Sequence, residues 1–168
     1  RTQYDLKNIR GRSVRLDIYA VDSENKKYNI EIQRADSGAG ARRARYNSSL
    51  IDGNILPKGI SPDNISDTFV IFITENDVIG GNKPIYHIDR YIRELNEYFN
   101  DGTHIIYVNA DYKDDSDLGK LMHDFTVRDP DEMNFKQLAK VTDYYKNDKE
   151  GIKAMCKAME DMITDYVT

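Results

Sequence analysis

Two stretches near the start of the chain alternate strictly between apolar and polar residues. Every second residue is apolar in residues 13–21, and the same alternation returns in residues 27–33. A period of two is typical of a β-strand with two unlike faces. Residues 22–26, between the two stretches, have turn chemistry, so the pattern predicts an antiparallel hairpin.

Later apolar positions predict one helix and three further strands. Alanine, leucine and isoleucine mix with arginine after Asp36, which indicates a helix that begins near Gly40 and ends before Gly53. A continuous apolar run over residues 69–74 is typical of a strand buried on both faces. The other predicted elements are a long loop over residues 53–67, a short strand over 85–89 and an apolar strand over 103–109.

From about residue 112 onward, apolar residues recur at helical spacing. The first predicted helix is capped by Asp117, the second is marked by Leu138, Val141 and Tyr145, and the third by Ile152, Met155, Met159 and Ile163. With the strands first and the helices last, we predict a mixed α/β protein. The core domain would cover residues 1–111, and residues 112–168 would form a helical C-terminal extension packed on the same domain.

The composition is that of a globular protein with room for one ordinary core. Of 168 residues, 39% are hydrophobic and 32% are charged, and no apolar run approaches the roughly 18–20 residues that a membrane helix needs. The single cysteine, Cys156, excludes an internal disulfide and favours a cytoplasmic location. The chain starts at Arg1 without an initiator Met, so we expect it to begin inside a longer protein.

Two carboxylates form the candidate site. If the hairpin tip lies near residue 24, Asp17 faces Glu31 on the polar face, where opposed like charges destabilise the pair. A divalent cation would offset the repulsion, with the backbone carbonyl of Ile32 as a further ligand, and Gln33 lies on the same face. The alternative is an ordinary solvated face on which Arg15 pairs with a carboxylate. A slip of one residue would separate the two.

Four ordered segments of the chain together resemble one family of nucleases. They are RLDIYA at 15–20, YNIEIQ at 28–33, RRARY at 42–46 and FVIFI at 69–73. As a set they resemble the Rpn-like, transposase-associated PD-(D/E)XK nucleases over about residues 13–110, and the helical tail also looks similar. The resemblance implies a restriction-endonuclease-like core, a mixed central sheet flanked by helices, that cleaves DNA with Mg²⁺ or Mn²⁺ in transposition or recombination.

The resemblance also implies roles for individual residues. Asp17 matches the aspartate of the first metal motif, Glu31 matches the acidic residue of the (D/E)XK motif, and Gln33 stands where the usual lysine would be. Gln cannot act as a general base, so it would orient water or an oxygen ligand. Leu16 replaces the usual proline, and the chain starts too late for the helix whose glutamate completes the superfamily's site.

The densest basic cluster follows the second strand of the hairpin. Arginine suits phosphate because its planar fork binds two oxygens at once. We predict that the cluster holds the DNA backbone and that Tyr46 stacks on DNA; the alternatives are a solvated helix face and a packed tyrosine. The candidate DNA-binding residues are Arg34, Arg42, Arg43, Arg45 and Tyr46.

Other motifs are interpreted as structural. Pro62-Asp63 is assigned to a loop and Pro130-Asp131 to a helix start after an Asp129 cap. Gly80-Gly81 is assigned to a turn, because no Lys-Ser/Thr pair follows it. The three histidines, at 87, 104 and 123, lack metal-ligand spacing.

Two rivals to an active endonuclease stay open. One is a catalytically degenerate nuclease-like domain that binds DNA or protein, which the missing helix and Gln33 favour. The other is a homo-oligomer formed through the methionine-rich stripe at residues 152–162, where a simple core role is the alternative.

Overall fold

Six strands form one mixed sheet in the computed structural model, which describes residues 2–6, 14–33 and 38–150. The chain has strands β1 (Thr2–Leu6), β2 (Val14–Val21), β3 (Lys27–Gln33), β4 (Thr68–Thr74), β5 (Ile85–Ile88), β6 (Tyr91–Ile92), β7 (Glu97–Tyr98) and β8 (Thr103–Asn109). The order across the large sheet is β1-β2-β3-β4-β8-β5, and β6 and β7 form a separate small hairpin. The predicted mixed α/β class is confirmed.

The predicted hairpin is present as β2 and β3. The strands pair antiparallel, with Ile18 opposite Ile30 and Val21 opposite Lys27, which is the register expected from a tip near residue 24. Locally, the Asp22 Oδ1 atom accepts hydrogen bonds from the backbone N–H groups of Glu24 and Lys26, each at 2.9 Å. A turn closed by an Asp side chain sets the register of the strands that it joins.

Helix α1 (Ala41–Ile55) crosses from the end of β3 to the start of β4, and these two strands are parallel. Such a crossover lays the helix on one face of the sheet. The core cluster beneath it includes Val70 and Phe72 of β4 and Tyr107 of β8, and the Phe72 and Tyr107 rings stack with their centroids 5.4 Å apart. The buried residues of α1 are Ala44, Asn47, Ser48, Leu50 and Ile51.

The predicted end of this helix was wrong, because α1 continues through Gly53 to Ile55. A helical glycine costs about 1 kcal/mol relative to alanine. The last turn nevertheless forms, since the Asn54 side chain donates to the Leu50 carbonyl at 2.8 Å and Ile55 packs against the core.

Three strands were not predicted, namely β1, β6 and β7. Strand β1 pairs antiparallel with β2 at the edge of the large sheet, whereas β6 and β7 have two residues each. A two-residue strand is too short to produce an alternating pattern. The other strands lie within one or two residues of their predicted positions.

Residues 113–168 form a second compact unit, whose described part holds helices α2 (Asp117–Thr126) and α3 (Lys136–Asn147). Asp117 is the first residue of α2 rather than its cap, because the Ser116 hydroxyl accepts the hydrogen bond from the Gly119 N–H at 3.1 Å. The third predicted helix, with Cys156 and the methionine-rich stripe, lies outside the described residues. No helix among the described residues is long and apolar enough to cross a membrane.

Asp124 joins α2 to the start of α3. Its carboxylate accepts hydrogen bonds from the backbone N–H groups of Asn134 and Phe135 at 2.9 and 2.8 Å, and from the Asn134 side chain at 2.9 Å. Burial raises the pKa of Asp124, but these bonds and His123 together outweigh burial and lower it to about 2. The charged carboxylate therefore stabilises the folded unit.

We expect the helical unit to lose stability as the pH falls from about 4 toward about 2. The folded pKa lies below the ordinary value, so the stabilisation is present above about pH 4 and disappears as Asp124 is protonated. Far-ultraviolet circular dichroism during acid titration of the native chain and of Asp124→Asn measures the effect. The variant should show a smaller loss over this range, whereas the exposed-site control Asp115→Asn should follow the native curve.

Candidate metal centre

Asp17 and Glu31 are the next residues beyond the last antiparallel pair, Ile18 and Ile30. The Asp17 N–H donates to the Glu31 Oε1 atom at 3.4 Å, and the Ile32 N–H donates to the Asp17 Oδ2 atom at 3.1 Å. At this point each carboxylate accepts a hydrogen bond from a backbone N–H group of the neighbouring strand. The two acidic side chains are thus held at one place between β2 and β3.

Glu31 is buried, although the alternation marks its face of β3 as polar. It pairs in register with Phe72 of β4, so it lies on the sheet face that carries the core, and none of its surface is exposed. Asp17 is exposed. Burial and the nearby Asp17 charge raise the pKa of Glu31, while Arg43 and backbone and side-chain hydrogen bonds act in the opposite direction. The alternative that Glu31 lies on an ordinary solvated face is therefore excluded.

Ile32 directs its backbone N–H to Asp17 and its side chain to solvent. Its N–H group is directed to β2, where it meets Asp17, and its side chain is 49% exposed on the opposite face. The N–H and C=O groups of a strand residue are directed to the same edge. The Ile32 carbonyl is therefore directed toward the strand that carries Asp17.

Gln33 and Arg43 lie on the other side of the Glu31 carboxylate. The Gln33 Nε2 atom is 3.5 Å from Glu31 Oε2, and the Arg43 Nη2 atom is 3.4 Å from the same oxygen. The Arg43 side chain is nearly half exposed. One oxygen of Glu31 thus faces the backbone of Asp17, while the other faces two nitrogen donors.

A comparison with protein families identifies the family of the chain. The model of the PD-(D/E)XK nuclease family transposases matches residues 1–165. The chain belongs to this family. Searches of curated proteins and of solved structures gave no match.

Family membership gives this arrangement a chemical context. The PD-(D/E)XK transposase family is a nuclease family, which implies DNA as the substrate, and PD-(D/E)XK nucleases generally use divalent metals. In this member Asp17 and Glu31 occupy neighbouring strands, and the crossover helix covers the sheet face that carries Glu31. Among the described residues, the side chains of Gln33 and Arg43 approach Glu31 Oε2 to 3.5 and 3.4 Å.

The predicted DNA-binding residues of this PD-(D/E)XK protein fall into four groups. Arg42 and Arg45 are exposed on α1, whereas Arg43 turns to Glu31. Tyr46 is partly buried and packs against the core cluster, which agrees with the alternative of a packed tyrosine. Arg34 lies outside the described residues.

The motifs that were interpreted as structural lie in short turns, a loop and a strand. Pro62 and Pro130 each begin a single 3₁₀ turn, capped by Ser61 and Asp129 respectively. Gly80 has a φ of 81° in the loop before β5, as expected of a turn glycine. His104 stacks on Phe69 at 4.6 Å and contacts Asp89, so it has a packing role rather than one at the centre.

Three residues near the centre were missed as participants by sequence reasoning. Arg43 was assigned to DNA, and two buried asparagines, Asn29 and Asn47, were not singled out. Asn29 lies two residues before Glu31 on the same strand face, so its position in the alternation was the signal available. Asn47 gave a weaker signal, as a polar residue on the sheet-facing stripe of α1.

Proposed function

We propose that this PD-(D/E)XK protein is a divalent-metal-dependent DNA endonuclease that acts in transposition or recombination. The observation that carries the proposal is the placement of Asp17 beside Glu31, with the Asp17 N–H 3.4 Å from Glu31 Oε1. A buried carboxylate beside a second one is unfavourable unless a positive charge is added. Metal binding would supply that charge at the position where the family places its active site.

The available donors fit a hard cation. No group of three or more His, Cys, Asp or Glu side chains within the described residues is placed to hold a metal ion. Mg²⁺ does not need such a group, because it usually keeps several waters and binds one or two carboxylates plus substrate phosphate. In this proposal Asp17 and Glu31 hold Mg²⁺ or Mn²⁺ through carboxylate oxygens, with the backbone carbonyl of Ile32.

A bound cation would lower the pKa of a coordinated water and stabilise charge on the scissile phosphate. Gln33 would orient the attacking water or a phosphate oxygen through its side-chain amide. Arg43 would supply the positive charge that Gln33 lacks, because its partly exposed guanidinium can bind a phosphate oxygen. Neither residue can serve as a general base.

Contacts to the DNA backbone are assigned to the helix that follows the site. Arg42 and Arg45 are exposed on α1, which starts near the end of β3 where Gln33 lies. Together with Arg34 they would bind phosphates. Because the net charge of the chain is −5, we assign the attraction for DNA to this local cluster and not to the whole surface.

The proposal is tested by nicking of supercoiled plasmid with the purified protein. We expect conversion to the open circle with Mg²⁺ or Mn²⁺ and none with EDTA. In a crystal soaked in Mn²⁺, anomalous density should lie between Asp17 and Glu31. Cleavage that persists in EDTA, or Mn²⁺ density elsewhere with none between these residues, would overturn the proposal.

Gly38 provides a test of the role of Gln33. A Cβ atom added to Gly38 would overlap the Gln33 Oε1 atom, so Gly38→Ala must displace this amide. We expect nicking to fall roughly 10- to 100-fold, because small misplacements of positioning groups cost that much. The fold should tolerate the change, since the clash is with the end of a flexible side chain.

The matched control for Gly38→Ala is Gly53→Ala. An added Cβ at Gly53 meets no atom within 4 Å, and alanine in a helix is favoured over glycine by about 1 kcal/mol. We expect this variant to cleave normally and to melt at a slightly higher temperature. Equal nicking by Gly38→Ala and the native chain would show that Gln33 has no part in cleavage.

The second candidate function is a catalytically degenerate domain that binds DNA or protein. The observation that favours it is the neutral Gln33 in place of a lysine. Binding of Mn²⁺ and DNA without cleavage would support this candidate over the endonuclease. Assembly of the chain into a homo-oligomer and a cytoplasmic location stay predictions.

A further inference from the structure

Two asparagine side chains are completely buried next to the candidate centre. Asn29 of β3 and Asn47 of α1 each have 0% of their surface exposed. In the described part of the chain, none of their four amide oxygen and nitrogen atoms meets both the distance and the angle of a hydrogen bond, although the Asn29 amide lies close enough to interact with the Glu31 carboxylate. Buried polar atoms are almost always paired, so four unpaired ones in one region call for an explanation.

The fold brings the two asparagines to the same level of the sheet. Helix α1 leaves the end of β3 and returns to the start of β4, so it runs opposite to β3. Arg43 contacts Glu31, and Asn47 follows one helical turn later, about 6 Å back along the strands. Asn29 precedes Glu31 by two strand residues, about 6.6 Å in the same direction.

Asn47 also lies on the part of the helix that meets the sheet. Ala44 and Ile51, which flank it on the same stripe, belong to the core cluster with Val70. Val70 is the residue of β4 that pairs in register with Asn29. The two amides therefore form a second polar layer directly below the layer of Glu31 and Arg43.

We propose that Asn29 and Asn47 are positioning residues for the Glu31 carboxylate. Their amides form a buried polar layer that holds Glu31, directly or through an internal water, in the orientation that binds metal. This inference rests on the proposed function, because the buried polar layer would act only by orienting the metal ligand Glu31. It assigns no contact of either asparagine with metal or DNA.

The stability of the fold alone would favour apolar residues at both positions. An apolar side chain of similar size would remove the penalty of unpaired polar atoms and would pack with Ala44, Ile51 and Val70. Asparagine at both positions is therefore unfavourable for the fold alone. A polar residue kept at such a cost is expected where it orients a functional group.

The test replaces each asparagine by an apolar residue of similar size, as Asn47→Leu in the helix and Asn29→Val in the strand. Calorimetric titration with Mn²⁺ and thermal unfolding without metal are measured for both. We expect Mn²⁺ affinity to fall about 10- to 100-fold, as for other residues that orient a ligand. We expect the melting temperature to stay the same or rise. If Leu does not fit, Asn47→Ala makes the comparison of Mn²⁺ affinity alone, because the cavity that it leaves lowers stability by itself.

The control is Ser48→Ala, a buried polar position adjacent to Asn47 on α1. It should leave Mn²⁺ affinity unchanged. Native affinity in both asparagine variants, or a loss of stability with native affinity, would overturn the inference and leave the proposed function intact. Absence of Mn²⁺ binding by the native chain would overturn the proposed function and this inference with it.

Discussion

Glu31→Gln and Asp17→Asn are each expected to abolish calorimetric Mn²⁺ binding and to reduce plasmid nicking by more than about 100-fold. Residues that only orient a metal ligand typically cost 10- to 100-fold in affinity or activity, so loss of a ligand should exceed that range. Both replacements keep the shape of the side chain and remove its charge. The control Glu97→Gln neutralises an exposed glutamate on β7 and should cleave at the native rate.

Loss of activity in Glu31→Gln should not come from unfolding. Burial and Asp17 raise the pKa of Glu31, so its charged form is disfavoured in the folded state. The folded protein therefore gains stability when Glu31 is protonated, and this gain is lost as the pH rises through the raised pKa. At neutral pH without metal, we expect Glu31→Gln to unfold at the same temperature as the native chain or higher. Native nicking rates in both ligand variants would refute the proposed site.

Phe72→Ala is expected to lower the free energy of unfolding by about 3–5 kcal/mol. Phe72 has 0% of its surface exposed, stacks on Tyr107 and lies on the sheet face that α1 covers. Its truncation leaves a cavity that the surrounding sheet and helix cannot fill. Urea unfolding followed by circular dichroism measures the loss, provided that the slope of the transition is unchanged.

Phe99→Ala is the matched control, because the same atoms are removed from a side chain that is 59% exposed. We expect it to change the free energy of unfolding by less than about 1 kcal/mol. If Phe72→Ala and Phe99→Ala were equally stable, the core would not lie between α1 and the sheet as described.

The parts of the site that sequence could predict are those set by local pattern. Alternation in residues 13–21 and 27–33 gave both strands, and the Asp22 side chain closes the turn between them. The turn sets the register of the two strands, and this register places Asp17 next to Glu31. The segments that resemble the nuclease family likewise predicted the family that the comparison shows.

The parts that could not be predicted depend on residues far apart in the chain. Alternation separates two faces of β3, but it does not show which face a helix will cover. The contact between Arg43 and Glu31 requires the crossover of α1. Arg43 was accordingly assigned to DNA with its neighbours Arg42 and Arg45.

By itself, the sequence determined the two strands of the hairpin, their register and the pairing of two acidic residues, because side-chain period and turn chemistry act over a few residues. Tertiary structure alone decided that the polar face of β3 is buried, that Glu31 meets Arg43, and that Asn29 and Asn47 lie beneath them. The reason is physical: burial is set by which surfaces pack together, and α1 is placed by the parallel pairing of β3 with β4. That packing turns an ordinary pair of carboxylates into one exposed and one buried acid.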